Sequence, residues 1–269
     1  MIRTFLFLMT LLATLPAAHA SPVPGGVYTV PAPEGATSAT YDGRPVLMSD
    51  GIAYVGIGIK TTPGTKTVTF DNGETRSFEV ETKAYPEQHL TIQNRKMVNP
   101  DPESLARIRA ESQRMRSEYL RFTADRTPSS IMKPVEGITS SLFGFRRVLN
   151  GQPRNPHSGL DIAAPTGTPI ASAADGVVTI TGDFYFNGKT VFVDHGQGLI
   201  TMYCHLSEIS VQEGDELTQG DILGLVGATG RVTGPHLHWS VSMNGYRVDP
   251  ELVMALLPVE ATQPEAAQK

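Results

Sequence analysis

The chain has 269 residues, room for one or two hydrophobic cores, and its 26 glycines, 20 prolines and 18% charged residues predict a turn-rich, β-dominated globular protein. With 22 Lys and Arg against 27 Asp and Glu, the formal charge is −5, so no basic surplus drives sequence-independent nucleic-acid binding and no nucleic-acid partner is expected. The single cysteine, Cys204, excludes an intramolecular disulfide and a multi-cysteine zinc knuckle.

Arg3, the short apolar run from Phe5 to Leu15 and the small-residue site Ala18-His19-Ala20 read as a secretory signal peptide over residues 1–20. The run is far shorter than the roughly 20 residues that span a bilayer, and nothing after residue 20 is long and apolar enough to be a transmembrane helix. A protein exported across the inner membrane, with no membrane span after signal removal, is expected.

Residues 21–84 alternate Val, Tyr, Ile, Phe and Thr between turn signals such as Asp42-Gly43, Asp50-Gly51 and Asp71-Asn72-Gly73, the spacing of a small β-sandwich-like domain. The best hairpin pairs Lys66–Phe70 with Thr75–Val80 across Asp71-Asn72-Gly73. Residues 85–133 form a connector. Within it Asp101-Pro102-Glu103 opens a helix over 102–122, with Asp as N-cap, Pro at its first position and Glu facing the positive end of the helix dipole. Leu105, Ile108, Met115, Tyr119 and Phe122 make its apolar stripe, and Arg107, Arg109, Glu111, Arg114, Arg116 and Glu118 a face expected to be solvated. The strand pattern resumes over 134–257, closing with a short helix near Asp249-Pro250-Glu251, and 258–269 is expected to be a disordered tail.

Five of the seven histidines fall between residues 157 and 238. In His157-Ser-Gly-Leu-Asp161, an extended stretch puts His157, Gly159 and Asp161 on one face, and Gly159 leaves room for a metal. In His236-Leu-His238 the same alternation points both imidazoles one way, and His205 ends the run Leu199–Cys204. Two His and one Asp meet the three-ligand stoichiometry of a catalytic zinc, which keeps a fourth position open for water.

The segments Asn155-Pro-His157-Ser-Gly-Leu-Asp161, Tyr203-Cys-His205-Leu206 and Thr233-Gly-Pro-His236-Leu-His238 resemble the lysostaphin-type, or LytM-like, zinc metallopeptidases. The resemblance covers roughly residues 140–252 and is supported by framework runs such as Asp194-His-Gly196 and Gly224-Leu-Val-Gly-Ala-Thr-Gly230. It implies a mainly β fold, with a C-terminal antiparallel β-sheet peptidase domain over 134–257. It further implies that His157, Asp161 and His238 ligate one Zn2+ per chain and that His205 and His236 are the catalytic histidines. The implied function is that of an exported metalloendopeptidase hydrolysing peptide cross-links of bacterial peptidoglycan in a Gram-negative periplasm. A regulatory protein partner, and an N-terminal domain that limits access to the cleft, fit the same picture. His195 is expected to be structural.

Trp239-Ser240 stands where many relatives carry a smaller aromatic and an acid, and Arg231-Val232 where small polar residues are frequent. Both departures put substrate preference, more than activity, in question. Three other readings compete. One is a LytM-like activator of another wall hydrolase that does not itself cleave. Another is a cysteine peptidase built on Cys204, which alternation argues against because His205 would point to the opposite strand face. The third is a swinging-arm carrier, suggested by the hairpins Gly214-Asp215 and Gly220-Asp221.

Overall fold

The computed structural model describes residues 21–259. The expected signal peptide and residues 260–269 of the expected tail lie outside the described residues.

Near the N-terminus two small sheets share one apolar cluster. Strands Val27–Pro31, Ile52–Gly56 and Leu47–Ser49 form the first sheet, and Arg44–Pro45, Ala39–Tyr41, Gly64–Phe70 and Thr75–Val80 the second. The expected hairpin pairs Gly64 with Val80 through to Thr69 with Thr75, so that Val68, Phe70, Phe78 and Val80 face Val30, Val46 and Val55 while intervening side chains face water. Gly73 closes its turn at φ +84°, a conformation that disfavours a Cβ.

The connector is more structured than its pattern suggests. Glu87–Leu90 pairs in parallel with Arg146–Leu149, stitching the connector onto the C-terminal half. Helix α1, Pro102–Tyr119, starts where expected, with the Asp101 carboxylate accepting from the Ser104 N–H at 2.8 Å. It ends at Tyr119, three residues before Phe122, where the chain turns away and the Thr123 carbonyl accepts from the Gln197 N–H. The charged face is also a docking face. Arg107 donates to the Asp183 carbonyl, Glu111 accepts from the Tyr185 N–H, Arg114 pairs with Glu213 at 2.6 Å, and Glu118 is buried beside Arg121.

The C-terminal half is built on an eight-stranded antiparallel sheet. Its central strands are Gly176–Phe184, Gly188–Asp194, Ile200–Leu206, Leu237–Met243 and Leu160–Ala163, in that spatial order. One face, carrying Leu160, Ile162, Tyr203, Leu206, Leu237, Trp239 and Val241, packs on the main core together with Val253 and Leu256 of helix α2, Pro250–Leu256. The other carries Ile180, Phe192, Ile200, Met202 and Cys204 against Tyr119 at the end of α1. Ile200–Leu206 and Leu237–Met243 are therefore buried on both faces, although Leu237–Met243 alternates apolar residues on the core face with His238, Ser240 and Ser242 on the other. Burying roughly a dozen large apolar side chains at about 1.5–3 kcal/mol each supplies the rigidity a preorganised site needs.

Candidate metal centre

Period-two alternation decides which side chains reach the α1 side of the sheet. With Leu160 and Ile162 in the main core, Asp161 between them must face the other way, and so must His238 between Leu237 and Trp239. Antiparallel register then makes Asp161 and His238 direct partners on neighbouring strands. His157 precedes strand Leu160–Ala163 rather than lying in it, and folds back so that its Nε2 sits 2.9 Å from Asp161 Oδ1 and 3.0 Å from His238 Nδ1. His238 Nδ1 is 2.7 Å from the same carboxylate oxygen.

The reason for Gly159 differs from the one its spacing suggests. A Cβ there would clash with the Trp239 carbonyl and lie 2.9 Å from His238 Cε1, so glycine lets the loop pack against the neighbouring strand.

His205 reaches the site by a different route. Opposite it the ladder pairs Lys189 with Leu206 and Val191 with Tyr203, which leaves two residues, Cys204 and His205, facing the single Thr190. That β-bulge places His205 at φ +68° and brings its ring within 4.9 Å of His236 and 6.1 Å of His238. Simple alternation would have sent the imidazole into the core. His236, just before strand Leu237–Met243, holds its Nε2 3.9 Å from Asp161 Oδ1. The structure thus brings all five predicted residues together.

Hydrogen bonds on the outer side of each ring select its tautomer. The carbonyls of Leu142, Thr229 and Gly234 lie 2.7, 2.8 and 2.9 Å from Nδ1 of His157, His205 and His236. Each carbonyl can only accept, so each Nδ1 carries the proton and each Nε2 keeps its lone pair. His238 is reversed. Its Nε2 donates to Ser240 Oγ, which donates to the Ser158 carbonyl, and Nδ1 is left as the acceptor. Ser240, one of the departures noted above, is therefore a support for His238.

Three buried atoms without protons of their own, His157 Nε2, His238 Nδ1 and Asp161 Oδ1, consequently face one another, all within 4.8 Å. Two nitrogen lone pairs and a carboxylate oxygen at such separations repel unless a cation lies among them. The residues thus fit a borderline-soft divalent ion such as zinc. Burial, opposed by the Asp161 contact, lowers His238 to about 4, so it is neutral at physiological pH. Burial and the neighbouring His236 and His238 hold His205 well below its ordinary value. Arg147, which no sequence pattern singled out, donates to Asp161 Oδ2 at 2.6 Å.

The other histidines stand apart. His195 is buried between the Asp175 carbonyl and Thr201 Oγ1, and burial lowers it to about 4. His89 is paired with Glu87 at the surface. Cys204 lies in the apolar cluster under Tyr119, where burial pushes its thiol up to about 12, far too high for a thiolate nucleophile.

A buried His2Asp cluster with two further imidazoles beside it, set on an antiparallel sheet, is an arrangement that could hold a metal ion. The model of peptidase family M23 matches residues 155–250. The crystal structure described as a peptidase M23 from Pseudomonas aeruginosa aligns over 87% of this chain and 96% of its own, with 42% identity and a TM-score of 0.71. This chain belongs to peptidase family M23. The membership bears out the resemblance and the mainly β fold class read from the sequence. Among curated relatives, the DD-carboxypeptidase/endopeptidase Mpg of Neisseria meningitidis is 44% identical over 128 residues, 48% of this chain and 29% of the relative. The peptidoglycan DD-endopeptidase ShyA of Vibrio cholerae is 41% identical over 110 residues, 41% of this chain and 25% of the relative. The match therefore spans under a third of the length of either.

Proposed function

We propose that this chain is an exported zinc metalloendopeptidase that hydrolyses peptide cross-links of bacterial peptidoglycan. The observation that carries the reading is the convergence of three lone-pair atoms on one point with two more unprotonated imidazole nitrogens beside it. His157, Asp161 and His238 are the proposed ligands of one zinc ion. Bound there, zinc supplies Lewis acidity toward a peptide carbonyl and a water molecule. His205 and His236 are the proposed catalytic residues. One of their Nε2 atoms would take up the proton lost by the attacking water and pass it to the leaving amine nitrogen as the C–N bond breaks, while the other would orient the water or stabilise charge developing on the carbonyl oxygen. The Leu142, Thr229 and Gly234 carbonyls hold the rings in the tautomers this requires.

The substrate class is supported by the relatives named as peptidoglycan endopeptidases. Residues 1–20 are proposed as a signal peptide that delivers the protein to a Gram-negative periplasm; among the described residues no helix is long and apolar enough to cross a membrane. Residues 21–84, 85–133 and 134–257 are the proposed N-terminal β domain, connector and peptidase domain. Ile108, Ser112 and Met115 of α1 line the cavity that holds His157, His205 and His238, which supports an access-limiting role for the connector helix rather than for the N-terminal β domain expected from the sequence to fill it. An Ile108→Ala, Met115→Ala protein should then cut faster than the parent, and an equal rate would remove that role.

The reading is tested by incubating purified sacculi with the protein, with and without a chelator, and weighing the released peptides by mass spectrometry. Chelator-sensitive release at a defined peptide bond is expected. Absence of release from a protein holding one zinc per chain would overturn it.

A further inference from the structure

The cavity over the proposed metal centre, about 450 Å3, is lined by Arg147, Arg154, Arg231 and Arg247 and, among the described residues, by no Asp or Glu. Only Arg147 has a carboxylate partner, Asp161; among the described residues no Asp or Glu lies within ion-pair distance of Arg154, Arg231 or Arg247. Arg154 is held by neutral acceptors, the Val98 carbonyl at 2.9 Å and Gln152 Oε1 at 2.6 Å. Even Arg147 is incompletely satisfied, since its Nε is buried with no acceptor.

Arg231 is the best built of the group. Its guanidinium stacks 4.3 Å over Phe186, and its backbone N–H donates to the Phe186 carbonyl at 2.9 Å. Gly230, at φ +76°, makes that approach feasible, because a Cβ there would lie 2.5 Å from the Gly188 nitrogen and 2.6 Å from the Phe186 oxygen. One face of the planar fork is covered and its edge has only a weak contact, 3.4 Å to the Met97 carbonyl. Burial, with Arg147 and Arg154 nearby, lowers Arg231 to about 10, so it stays charged at neutral pH while gathered with two like charges. Arginines held together without counter-charge in a partly buried cavity are an electrostatic strain that an incoming anion relieves, and a planar fork suits a carboxylate bidentately.

We propose that Arg231, with Arg154, is a specificity-determining subsite for a free carboxylate carried by the substrate peptide close to the bond being cut. The proposal rests on the endopeptidase reading for the identity of that peptide. Such a subsite selects acidic peptides over neutral ones.

The probe is a set of cross-linked peptide dimers prepared from sacculi, with free carboxylates either left intact or converted to primary amides. Binding is measured by titration calorimetry on zinc-loaded H205A protein, and cleavage on the zinc-loaded parent. The intact form should bind about 10- to 100-fold more tightly than the amidated form, the range of a charge-assisted contact. R231Q should reduce that ratio to within about threefold, R231K should keep part of it, and R154Q provides an independent variant should R231Q fail to fold. Equal binding, or equal cleavage, of the two forms would overturn the subsite and leave the endopeptidase reading standing. Selective binding of the intact form with no cleavage by the parent would support the subsite and overturn that reading instead.

Discussion

Asp161 and His238 are cross-strand partners in the central sheet, with Asp161 Oδ1 2.7 Å from His238 Nδ1. Two proposed ligands from segments 77 residues apart are thereby fixed by backbone register, the least deformable feature of a β-sheet. Substituting Asp161→Asn or His238→Ala should therefore abolish stoichiometric metal retention with little change in far-ultraviolet circular dichroism. His205→Ala and His236→Ala should retain one zinc per chain and lower turnover by about 10²- to 10⁴-fold. Metal analysis after desalting distinguishes the two groups, and full zinc content in His238→Ala would refute the ligand assignment.

Arg147 extends this unit outward. It donates to Asp161 Oδ2 at 2.6 Å and leaves Oδ1 to face the two imidazoles. Arg147→Met should free the carboxylate to rotate and weaken zinc binding by about 10- to 100-fold, the usual effect of losing a group that orients a ligand. Competition with a chromophoric chelator measures it directly. An unchanged affinity would mean that strand register alone positions Asp161.

Ser240 plays the matching part for His238, accepting from its Nε2 at 2.9 Å. Ser240→Ala removes that acceptor and allows the proton to move to Nδ1, the proposed ligand atom. A drop in zinc affinity of about tenfold is expected in the same competition assay, and restoration by Ser240→Thr would tie the loss to the hydroxyl.

The identity of these residues is legible in the sequence to different depths. Asp161 and His238 follow from strand alternation, because flanking Leu160, Ile162, Leu237 and Trp239 demand the core face. His205 does not: alternation assigns it to the core, and only a bulge against Thr190, a pairing between two strands, turns it round. Likewise Arg147, and the carbonyls that set the tautomers, belong to segments brought in by tertiary packing. The end of α1 differs from its expected position because Phe122 continues the apolar period, yet the contact at which the chain turns away, between Thr123 and Gln197, is long-range. The charged face of α1 shows the same limit, since mixed charge looks the same in a sequence whether it meets water or the backbone of a neighbouring strand.

Gly159 sits between two proposed ligands, and its missing side chain matters for packing. A Cβ at this position would run into the Trp239 carbonyl and lie 2.7 Å from Ser240 Oγ, so Gly159→Ala must push the loop off the strand. A loss of about 1–3 kcal/mol in urea denaturation is expected, together with weakened zinc binding as His157 moves away. A fully stable variant with normal metal content would show that the loop relaxes freely.

His195 gives the fold an acid sensitivity separate from the metal site. Buried between the Asp175 carbonyl and Thr201 Oγ1, it is lowered to about 4 from an ordinary value near 6.5. A group whose folded value is depressed contributes its full stabilisation above the unfolded value and loses it as the pH falls toward the folded one. The loss therefore runs from about pH 6.5 down to about pH 4, and amounts to roughly 3 kcal/mol for a shift of that size. His195→Gln keeps a donor and an acceptor but cannot charge, so it should be less stable than the parent at pH 7 while losing much less on acidification. Urea denaturation of both proteins at pH 7, 5.5 and 4.5 tests this, with the two stabilities converging as the pH falls. Parallel pH profiles would show that the acid sensitivity of the fold lies elsewhere.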